Sequence, residues 1–359
     1  MNNYILAAAA ILALALGLYI TGGSARDTST IKLGAVISET GVAASFGEMS
    51  RKGIELAVEE INAGGGVDGR AVEVEFEDDQ TNPTTALSAF QKLVSVDGVS
   101  AVIGSNFDFV TQPLFAAAKD GDVAVLTPSS PYYAGYFEEN QNAFFMMTNL
   151  PQIVSTFDAY LETQKYEKIG ILRYPSVFGE VFAKELGASV DETYAEIGNN
   201  DFRTQILKLK NAGVDLVFLD MVANDPEQFL KQSRELNYTP KVITHVGVKQ
   251  ALSATESPEL FEGIVVLDWN VSPEGFIEKF RNTYGVTPDN SANRAYDAVY
   301  VLADAVGKTS SRAEVSAYLA SHSFETPNGT VRFGKNHEAT GMDVVLERIE
   351  NGKLVTLRK

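Results

Sequence analysis

The stretch 31–83 limits the possible folds of this chain more than any other, because strand, turn, helix, glycine turn and second strand follow one another in an unbroken series. Ile31–Ile37 is a short apolar run of the kind that suits a parallel strand buried on both faces, and Glu39-Thr40-Gly41 turns the chain after it. Ser45 and Glu48 have the spacing of a capping box, in which each side chain takes up a backbone N–H left unpaired at a helix start. Ile54, Ala57, Val58 and Ile61 then form one helical stripe, which Gly64, Gly65 and Gly66 stop because glycine tolerates a left-handed cap. In the next strand Val72, Val74 and Phe76 alternate with Glu73, Glu75 and Glu77, so one face is buried. The segment reads as a βαβ unit opening a ligand-binding lobe.

The same alternation continues down the chain. Strands are expected at 99–104 and 123–126, helices at 83–96 and 108–120, a pattern that means a parallel sheet covered by helices. A second series starts after Asn149-Leu150-Pro151. It places strands at 169–173, 216–220, 242–244 and 264–267 and helices at 152–164, 178–186, 202–211 and 226–236. Helices at 273–284, 292–306 and 312–320 follow, then a β-rich tail over 331–357. At 359 residues two domains of ordinary size are expected.

Composition excludes several classes of partner. A net charge of −18 argues against nucleic acid, whose phosphates require a basic face, and against peripheral binding to anionic lipid. Residues 4–20 carry no charge and are followed by small residues including Gly23 and Ala25, which makes 1–29 a secretion segment. A cleaved signal and a retained membrane anchor both fit, since the run is at the short limit for spanning a bilayer and no Lys or Arg precedes it. With no cysteine in the chain, neither a disulfide nor a thiol-linked lipid anchor is available.

The residues of the opening unit carry a resemblance. Thr40-Gly41, Phe46-Gly47, the run KGIELAVEEINAGGGVDGR and the closing DDQTNP are similar to the leucine/isoleucine/valine-binding type of periplasmic binding protein. Weaker similarity runs through Val102-Ile103-Gly104, Thr111-Gln112-Pro113, Leu126-Thr127-Pro128 and Phe178-Gly179-Glu180 to the C-terminus. The resemblance implies a type I periplasmic binding fold: α/β, two Rossmann-like parallel-sheet lobes joined by a three-crossing hinge, here preceded by one apolar N-terminal helix. Crossings near Thr148, Trp269 and Asn328 would divide the chain into lobe 1 (30–148 plus 270–328) and lobe 2 (149–269 plus 329–359). It further implies a monomeric extracytoplasmic protein that captures a small polar ligand, an amino acid, an amino-acid-like compound or an amide, for an ABC permease. A sensory module signalling to a membrane partner is the alternative. Relatives can carry a disulfide at the positions of Thr81 and Phe107, which this chain replaces by packing.

No motif argues for catalysis, a cofactor or a metal. The glycines at 64–66 follow a helix and no Gly-Lys-Ser/Thr comes after them, which is a turn rather than a phosphate loop. His245, His322 and His337 are far apart, and Asp78 and Asp79 suit turn capping better than acid–base work. Ligand contacts are expected at the C-terminal ends of strands, in segments 105–111, 127–133 and 174–179. Candidate ligand-binding residues are Ser105, Asp108, Ser129, Ser130 and Tyr132, with Tyr133 and Tyr136 as an aromatic wall or as interlobe packing. Ser129 and Ser130 suit a helix N-cap as well as a ligand. The resemblance adds Phe46 and Phe178, at positions where relatives hold aromatic rings over the ligand.

Departures from the family pattern bear on the ligand. Amino-acid-binding members place a serine at the position of Asp108 to hold the ligand carboxylate, and a threonine at that of Pro131. Two unit charges about 4 Å apart repel by about 4 kcal/mol at an effective dielectric of about 20, roughly a thousandfold in affinity. Asp108 is therefore either an N-cap or the partner of a ligand end that is cationic or neutral. The glutamate that meets the ligand ammonium has no counterpart near His245 and Val246, and Val222 replaces a tyrosine.

Overall fold

The computed structural model describes residues 30–128, 140–148, 150–269, 271–340 and 344–358. The N-terminal apolar segment, and with it the expected helix, lies outside the described residues.

Two parallel sheets organise the chain. The first has five strands in the order β2 (Val72–Asp78), β1 (Ile31–Ile37), β3 (Ala101–Ile103), β4 (Ala124–Thr127) and β5 (Ala143–Phe145), all parallel. β1 is central because both of its faces are apolar: Ile31, Leu33, Ala35 and Ile37 enter one core and Val36 the other. β2, with its alternating glutamates, takes the edge. The helices Ala44–Ala63 and Asn290–Lys308 cover one face, and the helices Pro83–Lys92 and Asp108–Lys119 cover the other. The first two touch closely: a Cβ on Gly53 would lie 2.2 Å from the Ala292 carbonyl oxygen.

The second sheet has seven strands. β10 (Val265–Asp268), β9 (Lys241–His245), β8 (Leu216–Asp220), β6 (Ile169–Arg173) and β7 (Val190–Thr193) run parallel, while β14 (Val345–Glu350) pairs antiparallel with β10 and β15 (Lys353–Arg358) antiparallel with β14. Its faces carry two further cores, one around Phe202, Phe229 and Phe261 and one around Phe157, Phe182 and Phe218. The two-lobed α/β fold is that of the sequence reading. β5, β7 and the helix Val248–Ala254 are additional to it.

One local expectation is corrected. The helix after β1 starts at Ala44 with Ala43 as N-cap and no side-chain cap, so Ser45 and Glu48 form no capping box. The tight turn before it starts the helix two residues earlier than a Ser45 cap would. Ser45 is left with its hydroxyl accepting from Gln250 Nε2 of the second lobe, and Glu48 pairs with Lys52. β11 (Ser323–Thr326), β12 (Gly329–Phe333) and β13 (Ala339–Thr340) form a small antiparallel sheet whose Phe324, Val331 and Ala339 fill the core of the first lobe. Phe145 N–H donates to the His337 carbonyl, and the His337 ring stacks on Phe144.

Two buried carboxyls give stability a defined pH dependence. Burial pushes Asp225 up to about 6, against the Gly198 N–H it accepts, and pushes Asp297 up to about 6, against Asn328 Nδ2 at 3.1 Å. Each binds its proton more tightly folded than unfolded, so the folded state gains stability as pH falls through 6 and has the full gain below about 4. Opposing groups act lower. Asp78 and Asp215, held below the ordinary carboxylate value by hydrogen bonds that outweigh burial, lose stability below about pH 4. The melting temperature is expected to rise between pH 7.5 and 5, with a smaller rise in Asp297→Asn; an equal slope in the variant would exclude Asp297 as a source.

Candidate functional site

A cavity of about 120 Å³ lies between the lobes, at the C-terminal ends of the strands of both sheets. That is where an open parallel sheet leaves a crevice. From the first lobe come Phe46, near the start of its helix, and Asn106, Phe107 and Asp108, directly after β3. From the second come Tyr174 after β6, Asp220 ending β8, His245 ending β9, and Trp269 after β10. The helix Asn290–Lys308 adds Asp289, Asn290, Ser291 and Arg294.

Of the expected residues, Phe46 and Asp108 line the cavity. Phe46 stands edge-on to Phe107, ring centroids 5.5 Å apart. Asp108 is the first helical residue rather than the N-cap, which is Phe107, and its Oδ1 accepts from Phe109 N–H at 2.7 Å. Ser105 is fully buried and does not line the cavity. Its carbonyl accepts the Thr111 and Thr127 hydroxyls, which ties β3, β4 and the following helix together. Phe178 is a backbone position of the helix Val177–Glu185, its side chain lying outside the described residues. Ser129, Ser130 and Tyr132, with Tyr133 and Tyr136, also lie outside them. Asp78 and Asp79 cap their turn, accepting from Gln80 and Thr81 N–H.

Sequence reading did not single out the polar wall. His245 Nδ1 accepts from Gly247 N–H at 3.0 Å, so its proton sits on Nε2, which donates to Asp220 Oδ1 at 2.9 Å. Asp220 is 1% exposed and its Oδ2 has no partner. Lys249 bonds Asp268 and lies 3.0 Å from Glu347; burial would lower its ammonium, but these two carboxylates hold it above its ordinary value. Arg294 donates to the Pro128 and Trp269 carbonyls at 3.0 and 2.9 Å, and burial pulls its guanidinium down to about 10 against Asp268 and Asp289. The Tyr174 phenol is held well above its ordinary value by burial and then by the charges of Asp220 and Asp108. Among the described residues no group of three or more His, Cys, Asp or Glu is arranged to hold a metal ion, and no helix is long and apolar enough to cross a membrane.

A two-lobed α/β chain with its cavity across the strand ends of both sheets is a cleft for a small molecule, and a family model for periplasmic binding proteins matches residues 30–353. The chain belongs to the periplasmic binding protein family. It is 25% identical over 352 residues to the leucine-, isoleucine-, valine-, threonine- and alanine-binding protein of Pseudomonas aeruginosa, covering 92% of each chain. To the Leu/Ile/Val-binding protein of Escherichia coli it is 23% identical over 332 residues, 87% of this chain and 89% of that one. Two solved structures share the fold. The branched-chain amino acid transporter substrate-binding protein of Streptococcus pneumoniae, in complex with isoleucine, superposes with a TM-score of 0.79 at 24% identity, over 92% of this chain and 100% of that one. A solute-binding protein of an R. palustris ABC transporter, in complex with benzoate, gives 0.78 at 20% identity, over 92% and 96%.

Proposed function

We propose that this periplasmic binding protein is an extracytoplasmic receptor that encloses a small solute between its lobes and presents it to an ABC permease. The observation that carries the reading is the composition of the cavity wall. Phe46 and Asp108 belong to the first sheet's lobe, Tyr174, Asp220 and His245 to the second, so one ligand touches both. A ligand that touches both lobes binds the closed arrangement more tightly and shifts the population toward it. The amino acids named for the Pseudomonas relative, and the isoleucine and benzoate held by the structural neighbours, set the size class of the cargo.

The lobes in this reading are 30–148 plus 270–340 and 149–269 plus 344–358. Met146 packs in the first core and Met147 in the second, which marks one crossing. Gln250 to Ser45 is a contact that closure makes and opening breaks. The apolar run 4–20 takes the chain out of the cytoplasm. The test is a thermal-shift and fluorescence screen of amino acids, amides, amines and aromatic acids. Trp269 is the sole tryptophan and lies 5.4 Å from His245 in the cavity wall, so its emission reports occupancy directly. A solute at a hundred times its dissociation constant adds about 2.7 kcal/mol of stability. A chain that no solute stabilises, and whose emission none changes, is not a receptor of this kind.

A further inference from the structure

Of the helices that start beside the cavity, two have the place an incoming anion would take filled by a carboxylate of the chain itself, and a third has a carboxylate packed against its first turn. Asp108 opens the helix Asp108–Lys119 and takes the Phe109 N–H. Asp289 caps the helix Asn290–Lys308, taking the Ser291 and Ala292 N–H groups at 2.8 and 3.2 Å. Asp220 packs against the first turn of the helix Val177–Glu185, so closely that a Cβ on Gly179 would lie 2.4 Å from its Oδ2. Helix N-termini attract anions through their unpaired N–H groups and the positive end of the dipole. Asp108 and Asp289 take up such donors, while Asp220 leaves the cap to Ser176, which accepts the Gly179 N–H, and sets a like charge beside it.

The cations of the wall are largely engaged by the chain. Lys249 pairs with Asp268 and Glu347, and Arg294 gives both terminal nitrogens to backbone carbonyls and faces Asp268 and Asp289, leaving its buried Nε as the one nitrogen of these two side chains without a partner among the described residues. Residues 129–139, 149–151, 177–178, 270 and 341–343 contain no Lys or Arg in the sequence. A second observation points to a donor ligand. Asp220 is 1% exposed, lines the cavity, gives one oxygen to His245 and leaves Oδ2 without a partner. A buried carboxylate oxygen without a donor is costly, and a ligand N–H or positive charge removes the cost. Phe46, Phe107, Tyr174 and Trp269 line the same space, and aromatic faces attract cations.

We infer that the cargo is a compact organic cation without a free carboxylate, an alkylammonium or amidinium compound, with its charged end at Asp220 and Asp108 and its apolar part against the aromatic walls. This rests on the receptor reading above and narrows it. An α-amino acid brings the right ammonium but a carboxylate that meets the like charges of Asp108, Asp220 and Asp289.

The test uses the full chain in mild detergent, with leucine, leucinamide, benzoate, choline and agmatine as probes, read by calorimetric titration and thermal shift. Leucine and leucinamide differ at the carboxyl alone. At least one of leucinamide, choline and agmatine is expected to bind, with leucinamide favoured over leucine by about a hundredfold or more. Asp108→Asn and Asp220→Asn should each weaken the bound cation by a similar factor, while the melting point of the ligand-free variant shows that it folds. If Asp220→Asn fails to fold, Asp108→Asn carries the comparison alone. Leucine or benzoate bound as tightly as leucinamide overturns the cation assignment and leaves the receptor reading standing. No binding by any probe, with no small molecule released when the purified chain is denatured, overturns both.

Discussion

Replacing Lys249 by methionine is expected to cost about 3 to 5 kcal/mol of stability at pH 7.5, the usual loss when one partner of a buried ion pair is removed. The ammonium is the cation bonded directly to Asp268, whose side chain is fully buried, and it lies 3.0 Å from Glu347, whose side chain is 10% exposed. Asp268 ends β10 beside the second crossing and also accepts from Asn290 Nδ2 at 3.1 Å, at the start of the helix Asn290–Lys308. One carboxylate thus joins the helix Val248–Ala254, the strand β10 and the first lobe. Without the lysine, Asp268 and Glu347 hold two negative charges in a poorly solvated place, and both must take up protons more readily. The deficit should therefore shrink as pH falls from 7.5 to 5. Urea denaturation of wild type and Lys249→Met at both pH values checks this. A loss below 1 kcal/mol at pH 7.5, or a loss independent of pH, would mean that the lysine is solvated and the carboxylates are held by other groups.

The fold was legible because its strands and helices carry complete local signals. β1 is apolar on both faces, β2 alternates, and the glycines at 64–66 stop the helix between them. β7 was not read because its sequence, VDET, has the exposure pattern of an edge strand and too few apolar residues to stand out. β5 has three residues, too short for any period to register. The site was half legible for a different reason. Phe46 and Asp108 lie within segments that resemble relatives, whereas Asp220, His245, Asp289 and Arg294 are brought together from a span of 74 positions by sheet order alone. A weak signal existed: Asp220 and His245 are polar residues closing apolar strands, on the edge of the sheet where a crevice forms. Ser105 shows the limit of reading by segment, since Asn106, Phe107 and Asp108 line the cavity while Ser105 itself is fully buried and does not.

Arg294→Met is expected to destabilise the chain by about 3 to 5 kcal/mol, with Arg294→Lys losing roughly 1 to 2 kcal/mol. The guanidinium donates from one arm to the Pro128 carbonyl at the end of β4 and from the other to the Trp269 carbonyl at the second crossing. A planar fork satisfies two carbonyls at fixed positions, which a lysine ammonium on a flexible stem does less well. Methionine fills similar volume but withdraws the guanidinium donors from both carbonyls and removes a positive charge facing Asp268 and Asp289. Because the two carbonyls belong to the first lobe and to the crossing strand, the loss is one of registration between lobes as well as of stability. The order wild type, lysine, methionine should appear in urea midpoints and again in the width of the Trp269 emission band, which broadens as the crossing strand loosens. Equal midpoints for the lysine and methionine variants would show that charge and fork contribute nothing separately, and a methionine variant within 1 kcal/mol of wild type would assign the crossing's order to packing around Trp269 instead.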